Sequence, residues 1–330
     1  MDMVSFDADG VVHKLRGRLK IRHLALLLQI DRHGSLTRVA SSMATSQPAV
    51  TYALAELEDM FGARLFDRSA RGMTATAQGE VALAWARTML NDLDALALDM
   101  EAVAAGRDAH LNVGATPFIP GRLLSTAIGH TLPGRQRLTV TIHEATSEEL
   151  LPMLRDHALD FAIGWASSSL NIDGLVCEPL FHQSPRLIAS RQLAARLGAR
   201  RLDWAQLAQM DWILGPRPTP LREQVTDIFL RSGVTPPLPV VESYSSRLIG
   251  EMIASSDNAV SILPADVAEE LVRVAGVAIV PYSFDWTLAP VVLFSRNDAV
   301  RRPAETLFAE ALRALCAQTG EFAGRRAYQY

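Results

Sequence analysis

The stretch Ser46–Tyr52, SQPAVTY, gathers side chains that can read the edge of a nucleic-acid groove. A glutamine such as Gln47 can bond adenine at two points. Ala49 and Thr51 can touch a thymine methyl, and Thr51, Tyr52 and the Ser46 hydroxyl can bond phosphate. Ser35, Thr37 and Arg38 stand a short distance upstream, and Arg68 and Arg71 flank a turn downstream. Arginines on such a turn can reach the phosphate backbone or a narrow minor groove. By residue type alone, a solvated helix face and a charged turn look the same, so the elements that carry these residues must decide.

Those elements are legible. Leu24, Leu27 and Leu28 make one face of a first helix, and Gly34 suits the left-handed position that ends it. Ser35 can cap a second helix, in which Leu36, Val39, Ala40 and Met43 fall at i, i+3, i+4 and i+7. A tight turn at Ala44-Thr45 follows. Ser46 can cap a third helix, with Pro48 in its first turn, where a missing amide proton costs nothing. There Val50, Ala53, Leu54 and Leu57 repeat the apolar spacing and leave Gln47, Ala49, Thr51 and Tyr52 off the stripe. From Gly62 to Gly79 the pattern reads as a short hairpin with Arg68 and Arg71 near its tip. Two short helices, a tight turn and a hairpin spell a winged helix-turn-helix, whose recognition helix offers its N-terminal turns to the major groove.

Residues 19–79 resemble the DNA-binding domain of LysR-type transcriptional regulators. The likeness rests on GSLTRVA (Gly34–Ala40), SQPAVTYALAELED (Ser46–Asp59), FGARLFDRSARG (Phe61–Gly72) and TAQG (Thr76–Gly79). It continues, more weakly, over nearly the whole chain. Thr51 replaces the serine usual in the family but keeps a hydroxyl. Ala75 replaces a larger aliphatic residue, and the first eighteen residues have no counterpart in the family pattern. The resemblance implies a helix-turn-helix domain over 19–76, after an extension at 1–18. A linker helix over 77–107 would pair antiparallel in a dimer, and regulatory domains would join dimers into homotetramers. It also implies a regulatory domain over 108–330 like a periplasmic solute-binding protein, with a small-molecule effector between two α/β lobes.

The residues support this organisation independently. From Ala77 to Gly106 there is no proline, and Leu83, Ala86, Leu90, Leu93, Ala97, Met100 and Ala104 alternate in steps of three and four. Such a seam serves either the core of its own domain or a dimer coiled coil, and the helix's length between two domains favours the coiled coil. After Arg107, strands alternate with helices, which predicts mostly parallel α/β sheets. Lobe one is expected over 108–181 and 285–330, and lobe two over 182–284.

In open α/β sheets ligands sit beyond the carboxyl ends of strands, beside helix N-termini. Four segments fit: Thr116, Pro117 and Phe118; Glu144, Thr146 and Ser147; Pro218 and Thr219; and Ser243, Tyr244, Ser245 and Arg247. Their hydroxyls suit a carboxylate, phosphate or polyol, although each hydroxyl equally suits an ordinary helix cap. Glu144 would repel an anion.

Composition sets the limits. Of 330 residues, 49% are hydrophobic and 21% charged, an ordinary globular balance. The net charge is −4, yet Lys14 to Arg71 holds ten basic and five acidic residues, a net of +5 that leaves −9 elsewhere. A basic head on an acidic body fits a DNA-binding domain fused to something else. No apolar run is long enough to cross a bilayer, and the N-terminus lacks the order of a signal peptide, so a cytoplasmic address is expected. Cys177 and Cys316 match no metal-ligand spacing, and His143, His157 and His182 are scattered. With no nucleophile triad, phosphate loop or zinc motif, neither enzymatic activity nor a cofactor is expected. Expected partners are promoter DNA, a small-molecule effector, further copies of the chain and RNA polymerase. The other reading is a DNA-binding protein without an effector, its body serving only to oligomerise.

Overall fold

A computed structural model describes residues 7–69, 72–107, 109–130, 138–167, 169–199, 201–217, 219–297 and 301–318. The chain divides into two compact units: Met1–Glu101 with Arg155–Ala158, and Ala102–Leu154 with Leu159–Tyr330.

The first unit is a helical head with a two-stranded wing. Its helices are α1 (Ala8–Arg18), α2 (Ile21–His33), α3 (Leu36–Ser42) and α4 (Gln47–Phe61), and the wing pairs β1 (Phe66–Ser69) with β2 (Gly72–Ala75). Helix α1 was not anticipated from the sequence. Leu27, Ile30, Val39, Val50, Leu54 and Leu57 are buried together, as their spacing demands. Met43 is the exception; it follows the end of α3 and lies exposed. Gly34 ends α2 at φ 60°, a backbone position that costs other residues strain. Glu58 of α4 accepts the backbone N–H groups of Leu65 (2.9 Å) and Phe66 (3.4 Å), tying the wing to the helix.

Helix α5 (Ala77–Ala104) follows the wing directly. Gly79 in its first turn is dictated by space, since a Cβ there would lie 1.9 Å from the Leu65 carbonyl oxygen. The helix corrects the expected dimer seam. Leu83 and Ala86 are fully buried in the core of the head, and Leu90 packs against that core. Leu83 and Ala86 cannot face a partner helix, while Leu90 is half-buried at the edge of that core. The wing and α2 need a lid, and the first turns of α5 provide it. Leu93, Ala97 and Met100 remain exposed, on a helix whose other exposed apolar residues include Val81, Trp85, Met89, Leu96 and Val103.

The second unit holds two five-stranded sheets. Its first elements are β3 (Ala109–Ala115), α6 (Gly121–His130), β4 (Leu138–Glu144), α7 (Ser147–Arg155), β5 (Phe161–Trp165) and β6 (Leu175–Phe181). Then come β7 (Pro185–Ser190), α8 (Arg191–Gly198), α9 (Trp204–Leu207), β8 (Asp211–Leu214), α10 (Pro220–Arg231), β9 (Val241–Glu242), α11 (Ser246–Ala254), β10 (Ala259–Pro264), α12 (Ala265–Val274) and β11 (Val277–Ile279). The chain closes with β12 (Val291–Arg296) and α13 (Pro303–Gln318). One lobe has strand order β4-β3-β5-β12-β6 and the other β11-β7-β10-β8-β9.

The sheets are mixed rather than mostly parallel. β12 runs antiparallel to both β5 and β6, and β7 antiparallel to both β10 and β11, while β3 pairs in parallel with β4 and β5. The antiparallel strands adjoin the two crossings between lobes. A chain returning from the other lobe enters a sheet from the opposite end, without the helical crossover that parallel pairing requires.

Candidate nucleic-acid interface and ligand cleft

In the head, α3 and α4 are joined by Met43–Ser46, with Ala44 in the left-handed region at φ 49°. The Ser46 hydroxyl accepts the Ala49 N–H at 3.3 Å, so Ser46 caps α4 as its type suggested. Ser46, Gln47, Pro48 and Ala49 are all exposed, and Tyr52 is 75% exposed. Gln47 Nε2 donates to Thr51 Oγ1 at 3.0 Å, and that hydroxyl donates to the Gln47 carbonyl oxygen at 3.0 Å. The pair is thus held on one face of the first turns of α4. Thr37 and Arg38 are exposed on α3. Ser35 stands at its N-cap but makes no cap bond through its hydroxyl. Arg68 is exposed on β1, and Arg71 lies outside the described residues. The arrangement is a capped helix end bearing an amide, a hydroxyl and a phenol, flanked by cations, which suits base edges and phosphates.

In the second unit, a cleft of ≈ 70 Å³ is lined from both lobes. That is room for several waters' worth of ligand, at about 10–15 Å³ per water on this measure. Thr116, Pro117, Phe118, Thr146, Ser147, Thr219 and Tyr244 all line it. Glu144, Ser243, Ser245 and Arg247 do not. Arg247 is 88% exposed at its side chain and pairs with Glu251 one turn along α11, at 2.9 Å. Ser245 caps α11 by accepting the Leu248 N–H, and Ser243 Oγ accepts the Ser245 N–H. Glu144 is exposed at the end of β4, and Pro218 lies outside the described residues.

Hydrogen bonding separates helix caps from ligand donors. Thr146 and Thr219 are caps: each hydroxyl accepts the N–H three residues on, and Thr146 also donates to the Glu149 carboxylate. The Thr146 backbone N–H, donating to the Glu149 carboxylate at 2.9 Å, and then the Thr146 hydroxyl hold that carboxyl below the usual carboxylate range. Thr116 is different. It is 6% exposed, its N–H bonds Ile163, and its Oγ1 is buried with no partner. A buried hydroxyl without a partner is costly unless something else completes it.

Three further features were missed in the sequence. Arg222 lines the cleft at 4% exposure, its guanidinium donating to the Gly215 carbonyl oxygen (3.3 Å) and Glu242 (3.2 Å). Burial pulls its pKa down against the pull of Glu242. A lone arginine on a helix, it gave no signal of its own in the sequence. Trp165, at the end of β5, adds an aromatic wall. Glu148 and Glu223 bring carboxylates to the lining, so the cleft is not a purely cationic trap. Tyr244 is held above its ordinary pKa by burial and then by Glu149, Glu148 and Glu242, and stays a donor at neutral pH.

Neither thiol is activated. Burial pushes Cys177 up and Cys316 to about 11. Among the described residues there is no cluster of three metal-ligating side chains, and no helix is long and apolar enough to cross a membrane.

Comparison with known proteins agrees with this geometry. Residues 21–80 match the model of the bacterial regulatory helix-turn-helix protein, lysR family, and residues 104–317 match the LysR substrate binding domain. The HTH-type transcriptional regulator GbpR of Azospirillum brasilense is 29% identical over 301 residues, which is 91% of this chain and 87% of GbpR. The regulator PcaQ of Agrobacterium fabrum is 27% identical over 296 residues, covering 90% and 94%. Among solved structures, the LysR family regulator CbnR aligns with a TM-score of 0.61 at 22% identity, covering 90% of this chain and 99% of CbnR. With both of its domains accounted for, the chain belongs to the LysR family of bacterial helix-turn-helix transcriptional regulators.

Proposed function

We propose that this regulator reads its operator with Gln47, Ala49, Thr51 and Tyr52, anchors to phosphates through Ser35, Thr37, Arg38, Ser46 and the wing arginines, and is switched by a small polar molecule held at Thr116. The observation that carries the switch is the buried Thr116 hydroxyl, which lacks a partner at the floor of a two-lobed cleft. A ligand hydroxyl, carboxylate or amine there completes it, while Phe118, Trp165 and Tyr244 enclose the ligand's apolar surface. A relative supports the DNA half of the reading: CbnR has been solved in full length with its target DNA, at a TM-score of 0.60 to this chain.

Two copies are needed to place two recognition helices on two half-sites. The exposed apolar residues of α5, with Trp85 and Met89 at their head and Met100 further along, supply a surface for that pairing. Dimers then assemble to tetramers through the second units. A ligand that prefers one lobe arrangement shifts the population of assemblies, and so the spacing of the DNA-reading heads. An effector-free regulator would have no use for a largely apolar cleft that holds a buried, unsatisfied hydroxyl. The deciding experiment is a thermal-denaturation screen against a metabolite collection. A cognate ligand at a hundred times its Kd stabilises the protein by about 2.7 kcal/mol, and Thr116→Val should lose most of that gain. A ligand that stabilises both proteins equally would place the site elsewhere.

A further inference from the structure

Helix α1 lies outside the residues matched by the helix-turn-helix family model, which begin at 21, yet it is built into the head. Asp7 caps it by accepting the Gly10 N–H at 2.9 Å. Leu15 packs against the buried core, and Val11 approaches Gly62, where α4 ends. Two of its basic side chains, Lys14 and Arg18, reach the end of α4. Lys14 Nζ donates to the Asp59 carbonyl oxygen at 3.0 Å, in the last turn of α4, and stands 3.5 Å from the Asp59 carboxylate. Arg18 donates to that carboxylate at 2.9 Å and lies 3.8 Å from Glu56. The Arg18 hydrogen bond, followed by the Lys14 charge, holds the Asp59 carboxyl below its ordinary range.

The recognition helix presents an electrostatic problem that α1 answers. Helix α4 carries three acids, Glu56, Glu58 and Asp59, and no Lys or Arg. Such a helix is repelled by a polyanion, and acids near a helix C-terminus oppose the helix dipole. Glu58 is occupied by the wing amides, and the other two acids are met by α1. A cation on a terminal carbonyl is also a C-terminal cap.

We propose that α1, outside the residues matched by the family model, is a brace in which Lys14 and Arg18 act as positioning residues that neutralise and cap the recognition helix from behind without touching DNA. The claim separates cleanly from direct phosphate contact. A Lys or Arg that contacts phosphate lowers the slope of log affinity against log salt by about one when removed. A brace lowers affinity and leaves that slope unchanged.

The test uses the full chain and a duplex selected by the wild-type protein from a random-sequence pool. Lys14→Glu with Arg18→Glu should weaken binding by about fivefold to tenfold, the scale of one or two exposed ion pairs reversed. The salt slope should stay the same, and adding Asp59→Arg should restore most of the affinity. Should the double reversal unfold the head, the milder Arg18→Gln, checked by circular dichroism, should still weaken binding by about twofold, again rescued by Asp59→Asn. Unchanged affinity in folded variants would make α1 idle. A slope lower by about two with no rescue would make it a phosphate contact. Either result overturns the brace.

Discussion

Phe118 and Tyr244 meet edge to face, with ring centroids 6.4 Å apart and planes at 64°. Phe118 follows β3 in one lobe, and Tyr244 follows β9 in the other. Any change in lobe separation must break or remake this contact. Phe118 also holds φ at 67°, a conformation that costs a non-glycine residue on the order of 1–3 kcal/mol and persists only where its surroundings enforce it. Strain and inter-lobe contact thus coincide at the cleft that the Thr116 hydroxyl faces.

The phenol and the ring of Tyr244 should therefore separate by mutation. Tyr244→Phe keeps the edge contact and should leave the unliganded melting temperature nearly unchanged while reducing the ligand-induced shift. Tyr244→Ala should lower both, since an aromatic pair contributes about 0.5–1.5 kcal/mol beyond its burial. Differential scanning calorimetry with and without ligand reads both numbers.

On the DNA side, Gln47→Ala should weaken operator binding by about 1–3 kcal/mol and relax preference at one base pair. Arg68→Ala should weaken binding to all sequences alike and lower the salt slope by about one. Both residues are exposed, so neither change should move the melting temperature. Fluorescence anisotropy against operator variants distinguishes the two behaviours.

On α5, burial divides residues that the sequence grouped together. Leu83→Ala should destabilise the head by about 2–5 kcal/mol, the usual cost of a buried leucine, without dissociating the oligomer. Trp85→Asp with Met89→Asp, at two exposed positions, should reduce tetramers to dimers joined through the second units, as read by analytical ultracentrifugation.

The α5 result shows where sequence reading succeeds and fails. Spacing found the helix, but a seam of threes and fours looks the same whether it faces its own domain or a second copy. Only the position of the wing and α2 assigns Leu83 and Ala86 inward. The outward face of α4 was legible because Ser46, Pro48 and the Val50–Leu57 stripe fix the phase of the helix before any partner is considered. In the cleft, strand-end logic located Thr116, Phe118 and Tyr244. It over-reached at Ser243, Ser245 and Arg247, which lie close to Tyr244 in sequence but serve as turn, cap and surface ion pair. Arg222 was invisible because its burial depends on Gly215 and Glu242, brought together only by the fold. Helix α1 was missed because it turns little but Val11 and Leu15 toward the head, among charges whose partners lie some forty residues on.

The head should also respond to acid through His23. This residue is buried in α2, and its Nδ1 accepts the Lys20 N–H at 3.3 Å. Burial, the largest cause, holds its pKa below 6.5 despite the opposing pull of Glu56. Because the folded pKa is depressed, the neutral ring's contribution is complete above about 6.5 and is lost as pH falls through the folded value. Melting of the head should therefore weaken below pH 6.5. His23→Asn keeps an acceptor near Nδ1 without the titration and should flatten that dependence.

The central claim is sequence-specific recognition of DNA, and retention of genomic fragments tests it most directly. Purified protein is mixed with sheared DNA from its source organism at moderate salt, and the retained fragments are sequenced. We expect enrichment of a partly palindromic site close to a promoter, lost when Gln47 and Arg68 are both replaced by alanine. Retention no different from bulk DNA, or an enriched site held equally well by the double variant, would contradict the account.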